Sequence, residues 1–118
     1  MNKLDAAIAE ISKEFPTIRR VTTTYAQIDI DELFDWWNYI FIGVLYAKEK
    51  DQVILTDFAD YAPLCKWEDE DLPEVEKICQ KHNITFHNWH IECVYQSNQD
   101  IKNYLACLKE LSEKYADN

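Results

Sequence analysis

Apolar residues recur at helical spacing in three segments of the chain. In the first segment they lie three to four positions apart, at Leu4, Ile8, Ile11 and Phe15. Because residues at this spacing share one side of a helix, the pattern predicts an amphipathic N-terminal helix. Asn2 is its candidate N-cap, and Pro16 ends it.

The other two helical patterns lie in the second half of the chain. The middle helix is predicted behind Pro73, which a first helical turn tolerates, and its inward side carries Val75, Ile78, Cys79 and His82. The C-terminal helix is predicted to follow a cap at Ser97 or Asn98, and its inward side carries Ile101, Tyr104, Leu105, Leu108 and Leu111.

Between the helices, runs rich in β-branched and aromatic residues predict strands. Residues 37–47 and 52–56 flank the charged turn "KEKD" and predict an antiparallel hairpin, whose first strand is apolar on both sides and therefore central. Residues 18–28 predict an extended segment or edge strand. Residues 84–95 predict one strand, or a tight hairpin around His87 and Asn88, with an apolar side made of Trp89, Ile91, Cys93 and Tyr95.

These elements predict the fold class. A chain of 118 residues with 47% hydrophobic residues is long enough for one core, so we expect a single domain over residues 1–118. We expect an α+β fold, in which a small, mainly antiparallel sheet is packed by N-terminal, middle and C-terminal helices. The hairpin 37–47/52–56 and a strand near 84–95 form this sheet.

The net charge of the chain favours some classes of binding partner over others. The net charge is −10, which repels nucleic acid and anionic lipid and favours a basic protein as partner. We expect no direct binding of nucleic acid, and the longest apolar run is too short to span a membrane. The first fifteen residues lack the continuous hydrophobic stretch of a signal peptide, so a cytoplasmic location is expected.

The stretch "CKWEDEDLPEVEK" concentrates negative charge at the predicted start of the middle helix. A helix N-terminus favours carboxylates, because its N–H groups are unsatisfied and the helix dipole is positive there. This explains part of the cluster, and the excess suggests an acidic contact surface anchored by a tryptophan. The candidate partner-binding residues are Trp67, Glu68, Asp69, Glu70, Asp71 and Glu74.

A second acidic and aromatic stretch, "IDIDELFDWWNY", precedes the predicted central strand. Its candidate partner-binding residues are Asp31, Glu32, Asp35 and Trp36. The alternative is a solvated loop in which one tryptophan enters the core. If both acidic stretches lie on one side of the domain, their carboxylates could stand in for the phosphates of a nucleic acid before a basic groove.

A spacing of histidines and cysteines offers a metal site as the alternative. Cys79, His82, His87, His90 and Cys93 supply ligand types that complete a tetrahedral zinc shell. Each also has a structural explanation, because free cysteine behaves as a small hydrophobic residue and residues three apart on a strand face opposite sides. We therefore expect no cofactor.

Catalytic signatures are weak. The only glycine is Gly43, which excludes a glycine-rich phosphate loop, and Cys65 and Cys107 lack diagnostic flanking motifs. Asp57 and Asp60 follow a strand end, where a carboxylate serves either catalysis or a turn. The sequence thus predicts a domain that is not an enzyme.

The stretch "YIFIGVLYAKEKDQVILTDFADYAPL", followed by a helix, "ITFHNWHIECVY" and a terminal helix, resembles an uncharacterised bacterial family of short proteins often carried by prophages and other mobile elements. The resemblance implies an α+β domain in a mobile-element setting and supplies no catalytic residues.

The leading hypothesis is a non-enzymatic, acidic interaction domain. It would bind a basic bacterial protein, for example one that handles nucleic acid, as an inhibitor encoded by a phage would. The alternatives are a zinc-binding domain or metal-dependent enzyme that uses the Cys79–Cys93 cluster, and a regulatory or antitoxin-like subunit.

Overall fold

The computed structural model describes residues 3–30, 40–57, 68–87 and 89–115. In this part of the chain, six strands form one antiparallel sheet and three α-helices accompany it, which confirms the predicted α+β class. The helices are α1 (Lys3–Ser12), α2 (Leu72–Lys81) and α3 (Asn98–Tyr115). The strands are β1 (Ile18–Arg20), β2 (Tyr25–Ile30), β3 (Ile40–Ala47), β4 (Gln52–Thr56), β5 (Thr85–His87) and β6 (His90–Val94).

The sheet order is β1-β2-β3-β4-β6-β5, so β3 is an inner strand with a neighbour on each side. The predicted hairpin is confirmed for β3 and β4, which pair from Ala47↔Gln52 to Gly43↔Thr56. Residues 37–39 of the predicted strand lie outside the described residues. Asp51, in the turn, accepts a hydrogen bond of 2.6 Å from the Tyr46 hydroxyl and has a left-handed φ of 52°, which aspartate tolerates.

The core lies between one side of the sheet and the helices. Cross-strand partners point to the same side, and the pairs Ala26↔Val44 and Val44↔Leu55 place three fully buried residues together. All three helices contribute to the same core cluster: Leu4 and Ile11 from α1, Val75 and Cys79 from α2, and Ile101, Tyr104 and Leu108 from α3. The helical spacing predicted for the three segments is therefore the spacing that fills the core.

Two predictions in the first thirty residues need correction. Helix α1 ends at Ser12 rather than at Phe15, because the amides of Lys13 and Glu14 bond to the carbonyls three residues back, at 3.3 and 3.0 Å, which tightens the chain out of the α-helix. The Phe15 ring packs on the core. The predicted single extended segment is a hairpin, in which the Val21 amide donates to the Tyr25 carbonyl (2.9 Å) and closes the turn between β1 and β2. Asn2 lies outside the described residues.

The ends of α2 and α3 have specific hydrogen bonds. Helix α2 finishes in a Schellman turn, since Asn83 has φ 62° and the Ile84 amide donates to the Cys79 carbonyl at 2.9 Å. Before α3, the Asp100 carboxylate accepts from the amides of Gln96 (2.7 Å) and Ser97 (2.9 Å). Of the two predicted caps, Ser97 directly precedes α3, and the Asp100 amide donates to its carbonyl at 3.0 Å. Asn98 is the first residue of α3, and its side-chain amide donates to the Glu10 carbonyl of α1 (3.0 Å).

Candidate functional site

The acidic helix start, defined here as residues 68–76, begins with a short 3-10 helix (Asp69–Asp71) that leads directly into α2. Glu68 has an extended backbone, as an N-cap residue does, and its amide donates to Asp71 Oδ2 at 2.9 Å. Pro73 lies in the first turn of α2, where its missing N–H costs nothing. Part of the negative charge is therefore used to begin the helix, as the sequence predicted.

The remaining carboxylates of the acidic helix start face solvent. Asp69, Glu70 and Glu76 are exposed, and the one hydrogen bond to Glu76 comes from the Gln80 side chain at 3.4 Å. Within the described residues, no ion pair involves any of these three side chains or those of Glu68 and Asp71. Glu74 is half-buried in the first turn of α2.

Several carboxylates elsewhere on the surface have basic partners. Asp51 lies 3.0 Å from Lys3, Glu14 lies 3.0 Å from Lys102, and Asp5 pairs with Arg20. The hydrogen bond from Asn98 and the bond and charge of Lys102 lower the pKa of Glu14 below its ordinary value. The pKa of Asp51 is lowered by the Tyr46 hydroxyl and then by Lys3. At Asp69, Glu70 and Glu76, the acidic helix start thus carries exposed carboxylates that make no ion pair within the described residues.

Half of the predicted partner-binding surface has no structural description. Asp31, Glu32, Asp35, Trp36 and Trp67 lie outside the described residues. Their part in a contact surface stays a prediction, as does the placement of the second acidic stretch beside the first.

The predicted zinc cluster is not assembled. All five of its residues are described, and no three His, Cys, Asp or Glu side chains in the described part of the chain are arranged to hold a metal ion. Cys79 is buried against Cys107, and the Nε2 atom of His82 lies 2.8 Å from Glu110 Oε1. The other three members, His87, His90 and Cys93, lie on β5 and β6. These five side chains do not come together, because α2 and the hairpin present them to different neighbours.

Two of the described cysteines, Cys93 and Cys107, are poor nucleophiles. Cys107 is fully buried, and its contact with the Cys79 thiol (3.8 Å between sulfurs) together with burial raises the pKa of Cys107 far above its ordinary value. Burial likewise raises the pKa of Cys93 to about 12. Since the thiolate is the reactive form, the Cys93 and Cys107 side chains act as core residues, and Cys79 is buried beside Cys107. Cys65 lies outside the described residues.

Asp57 is buried and structural. The Ile91 amide donates to its Oδ1 atom at 2.9 Å, and the Tyr104 hydroxyl donates to the Ile91 carbonyl at 2.6 Å. Burial, reinforced by the charge of Asp57, raises the pKa of Tyr104 well above its ordinary value. The Asp57 carboxylate fastens the end of β4 to β6, and Tyr104 of α3 bonds to the same residue of β6, so Asp57 has a structural role here. Asp60 lies outside the described residues.

The tip of the β5–β6 hairpin holds a residue that the sequence pattern misplaced. The tight hairpin is confirmed by the pairing His87↔His90. Trp89, predicted to face the core with Ile91, instead lies in the two-residue turn with a left-handed φ of 66° and 37% of its surface exposed. Its ring meets that of Phe86 edge-on, with centroids 6.3 Å apart and planes at 79°. Strand β6, in which side chains alternate between the two sides of the sheet, begins one residue later, at His90.

A groove of ≈ 640 Å³ lies on the side of the sheet opposite the described helices, over Leu45, Ile54 and Val94. Its rim mixes the cations Lys48 and Lys50 with the carboxylates Glu49 and Glu92. Because these charges balance, the groove gives no preference for a ligand of either sign.

Comparisons with known proteins leave the family open: no family model, no curated protein and no solved structure matches the chain. The resemblance to an uncharacterised bacterial family therefore stays a prediction. Of the helices in the described ranges, none combines the length and the apolar character needed to cross a membrane.

Proposed function

We propose that this domain is a non-enzymatic interaction domain that binds a basic protein through the acidic helix start. The observation that carries the proposal is the contrast in charge pairing. Asp69, Glu70 and Glu76 are exposed carboxylates that make no ion pair within the described residues, whereas basic partners are present for Asp5 and Glu10 of α1, Glu110 of α3 and Asp51 of the β3–β4 turn.

Unpaired carboxylates are suited to this role because their field is not cancelled locally. Exposed ion pairs are individually weak, but several charges of one sign steer a complementary partner and raise its association rate. The net charge of −10 acts in the same direction at longer range.

The class of partner that fits is a basic protein whose surface recognises phosphates. A nucleic-acid-handling protein has such a surface, and a row of carboxylates presents negative charge to it without a phosphate backbone. The domain would then act as an inhibitor that occupies the nucleic-acid-binding groove of the basic partner protein. The resemblance to proteins carried by mobile elements is consistent with this proposal.

Charge reversal with a matched control tests the proposal. Asp69→Lys/Glu70→Lys reverses two of the three unpaired carboxylates but keeps the Glu68 to Asp71 hydrogen bond that begins the helix. Glu49→Lys/Glu113→Lys reverses two exposed carboxylates on other elements and changes the net charge equally. Wild-type protein and both variants are immobilised and exposed to a bacterial lysate at low and at high salt, and retained proteins are identified by mass spectrometry.

The expected result is a basic protein retained by the wild type and by Glu49→Lys/Glu113→Lys, lost from Asp69→Lys/Glu70→Lys, and released by salt. If all three surfaces retain the same proteins, or if none retains a protein at low salt, the proposal fails.

A further inference from the structure

One side of the sheet carries a row of apolar side chains. Cross-strand partners point to the same side, so the pairings Leu45↔Ile54 and Ile54↔Val94 place one side chain each from β3, β4 and β6 in line. These three residues form the floor of the groove of ≈ 640 Å³ on the side opposite the described helices, here called the sheet groove. Leu45 and Ile54 are half-buried, and Val94 is 38% exposed. Apolar residues that line an open groove with a polar rim are typical of an interaction site.

The two edges of the sheet groove carry charge of opposite sign. One edge is the β3–β4 turn, where the exposed cations Lys48 and Lys50 flank a single carboxylate, Glu49, and leave an excess of positive charge. The other edge carries the carboxylate of Glu92, and His87 of β5 also lines the groove. The apolar row separates the positive edge from the negative one.

Described neighbours do not neutralise these edges. Lys48 and Lys50 make no ion pair within the described residues. The described ion-pair contact of Glu92 is with His90, whose Nδ1 atom lies 3.6 Å from Glu92 Oε2. Such a contact neutralises a carboxylate only when the imidazole is protonated. In mildly basic solution, both edges therefore have charge available for a partner.

This arrangement is complementary to itself. In a symmetric dimer the same patch of both chains meets, so a suitable patch must match its own copy after a two-fold rotation. The positive turn begins three residues beyond Leu45, and Glu92 lies two residues before Val94, so both edges lie within about 10 Å of the row. A two-fold axis in the plane of the interface, along the row, packs the row on its copy and exchanges the edges. The positive turn of each chain then faces the negative edge of the other.

We propose that the sheet groove is the interface of a homodimer, in which it is covered by the same groove of a second copy of this chain. The charges indicate this occupant. A strongly basic or acidic partner would meet one edge of like sign, whereas a second copy meets opposite charge at both edges. None of the described residues that line the groove belongs to residues 68–76. The inference is therefore independent of the proposed function.

Sedimentation equilibrium of the full chain measures the association, in mildly basic solution with moderate salt to screen the net charge of −10. The wild type is expected to reach twice the mass of one chain as its concentration rises. Val94→Asp places a carboxylate in the apolar row and should weaken the dimer at least about tenfold. Ala9→Asp adds the same charge at an exposed position of α1 that does not line the groove, and it should leave the dimer unchanged.

Charge complementation tests the symmetry of the interface. Glu92→Lys makes both edges positive, and the triple variant Lys48→Glu/Glu49→Lys/Lys50→Glu makes both edges negative. Each variant alone should associate at least about tenfold more weakly than the wild type, because like charges face each other at both contacts. An equimolar mixture of the two should recover the wild-type affinity, because a positive edge then faces a negative edge at both contacts. Recovery in the mixture also shows that both variants are folded.

The outcomes decide between a second copy and other occupants. A wild type that remains monomeric up to about 1 mM overturns the proposal. Wild-type affinity in Glu92→Lys, or a mixture that associates no more strongly than either charge variant alone, overturns it as well. A monomeric wild type that binds an apolar fluorescent dye, with the dye lost in Val94→Asp, assigns the groove to a small ligand instead. Thermal unfolding checks that Val94→Asp is folded, and the charge variants test the interface whatever its result.

Discussion

The start of α1 and the start of α2 use the same residue types in opposite ways. On the α1 side, Asp5 pairs with Arg20 and Lys3 with Asp51, so each charge meets a partner from another element. At the start of α2, Glu68 and Asp71 serve the helix itself, and Asp69 and Glu70 face solvent. The difference teaches that negative charge becomes available for binding only where tertiary neighbours do not neutralise it.

The reason for the difference is the surroundings of each helix. Helix α1 packs across β1, β3 and β4, whose ends and turns carry cations, and Lys102 of α3 reaches Glu14 just beyond α1. The nearest basic residue along α2 in the described chain is Lys77, which makes no ion pair with Asp69, Glu70 or Glu76. The last turn of α2 does pair, since Lys81 and His82 both contact Glu110.

The largest expected effect on the free energy of unfolding is the difference between removing a buried carboxylate and removing an exposed, unpaired one. Asp57→Ala leaves the buried Ile91 amide without its acceptor, so we expect a loss of about 2–3 kcal/mol in the free energy of unfolding. Asp69→Ala removes a carboxylate that contacts only solvent and should change stability by less than about 0.5 kcal/mol. Urea unfolding of both variants measures the difference. Equal losses would show that the two regions are not distinct.

A smaller difference in stability is expected between two residues of the acidic helix start, Asp71 and Glu70. Asp71→Ala removes the acceptor of the Glu68 amide and should cost about 1 kcal/mol, as the loss of a helix cap does. Glu70→Ala, one residue earlier, should cost less than about 0.5 kcal/mol. The comparison uses the same urea titrations. If Glu70→Ala is the more damaging change, Glu70 has a structural role and its charge is not surplus.

The smallest expected effect is on the pH dependence of stability, through Glu110 and its contacts with Lys81 and His82. The His82 and Lys81 bonds lower the pKa of Glu110 below its ordinary 4.5, so the unfolded chain takes up a proton at a higher pH than the folded one. This contribution is complete above the unfolded pKa and is lost as pH falls through the folded pKa. Glu110→Gln should therefore show a smaller loss of stability than the wild type between pH 7 and pH 3. Identical losses, measured by urea unfolding at both pH values, would mean that the pair contributes nothing.

The spacing of hydrophobic residues predicted those elements that depend mainly on residues close together in the sequence. The three helical patterns appear as α1, α2 and α3, and the charged turn between residues 47 and 52 joins β3 to β4. Element ends were less predictable. Phe15 continues the spacing of α1 but packs on the core from outside the helix, because the chain must turn there to reach β1.

The candidate site was predictable only in part. The acidic stretch was identified as both a helix start and a surplus of charge, and the Glu68 to Asp71 bond explains the first of these. The five residues of the predicted zinc cluster do not come together in the described structure, because Cys79 turns toward Cys107 and His82 toward Glu110, which spacing along the chain cannot show. Trp89 was missed as a surface residue, because its place in the alternation of residues 89–95 predicts burial.

By itself, the sequence determined the α+β class, the three amphipathic helices, the central hairpin and the excess of carboxylates, because each depends on local spacing or composition. The tertiary structure decided which carboxylates meet a cation and which remain free. It also decided that Asp57 is buried, and that the hairpin turn falls on Trp89, which is exposed. These outcomes depend on contacts between residues far apart in the chain, which no local pattern encodes.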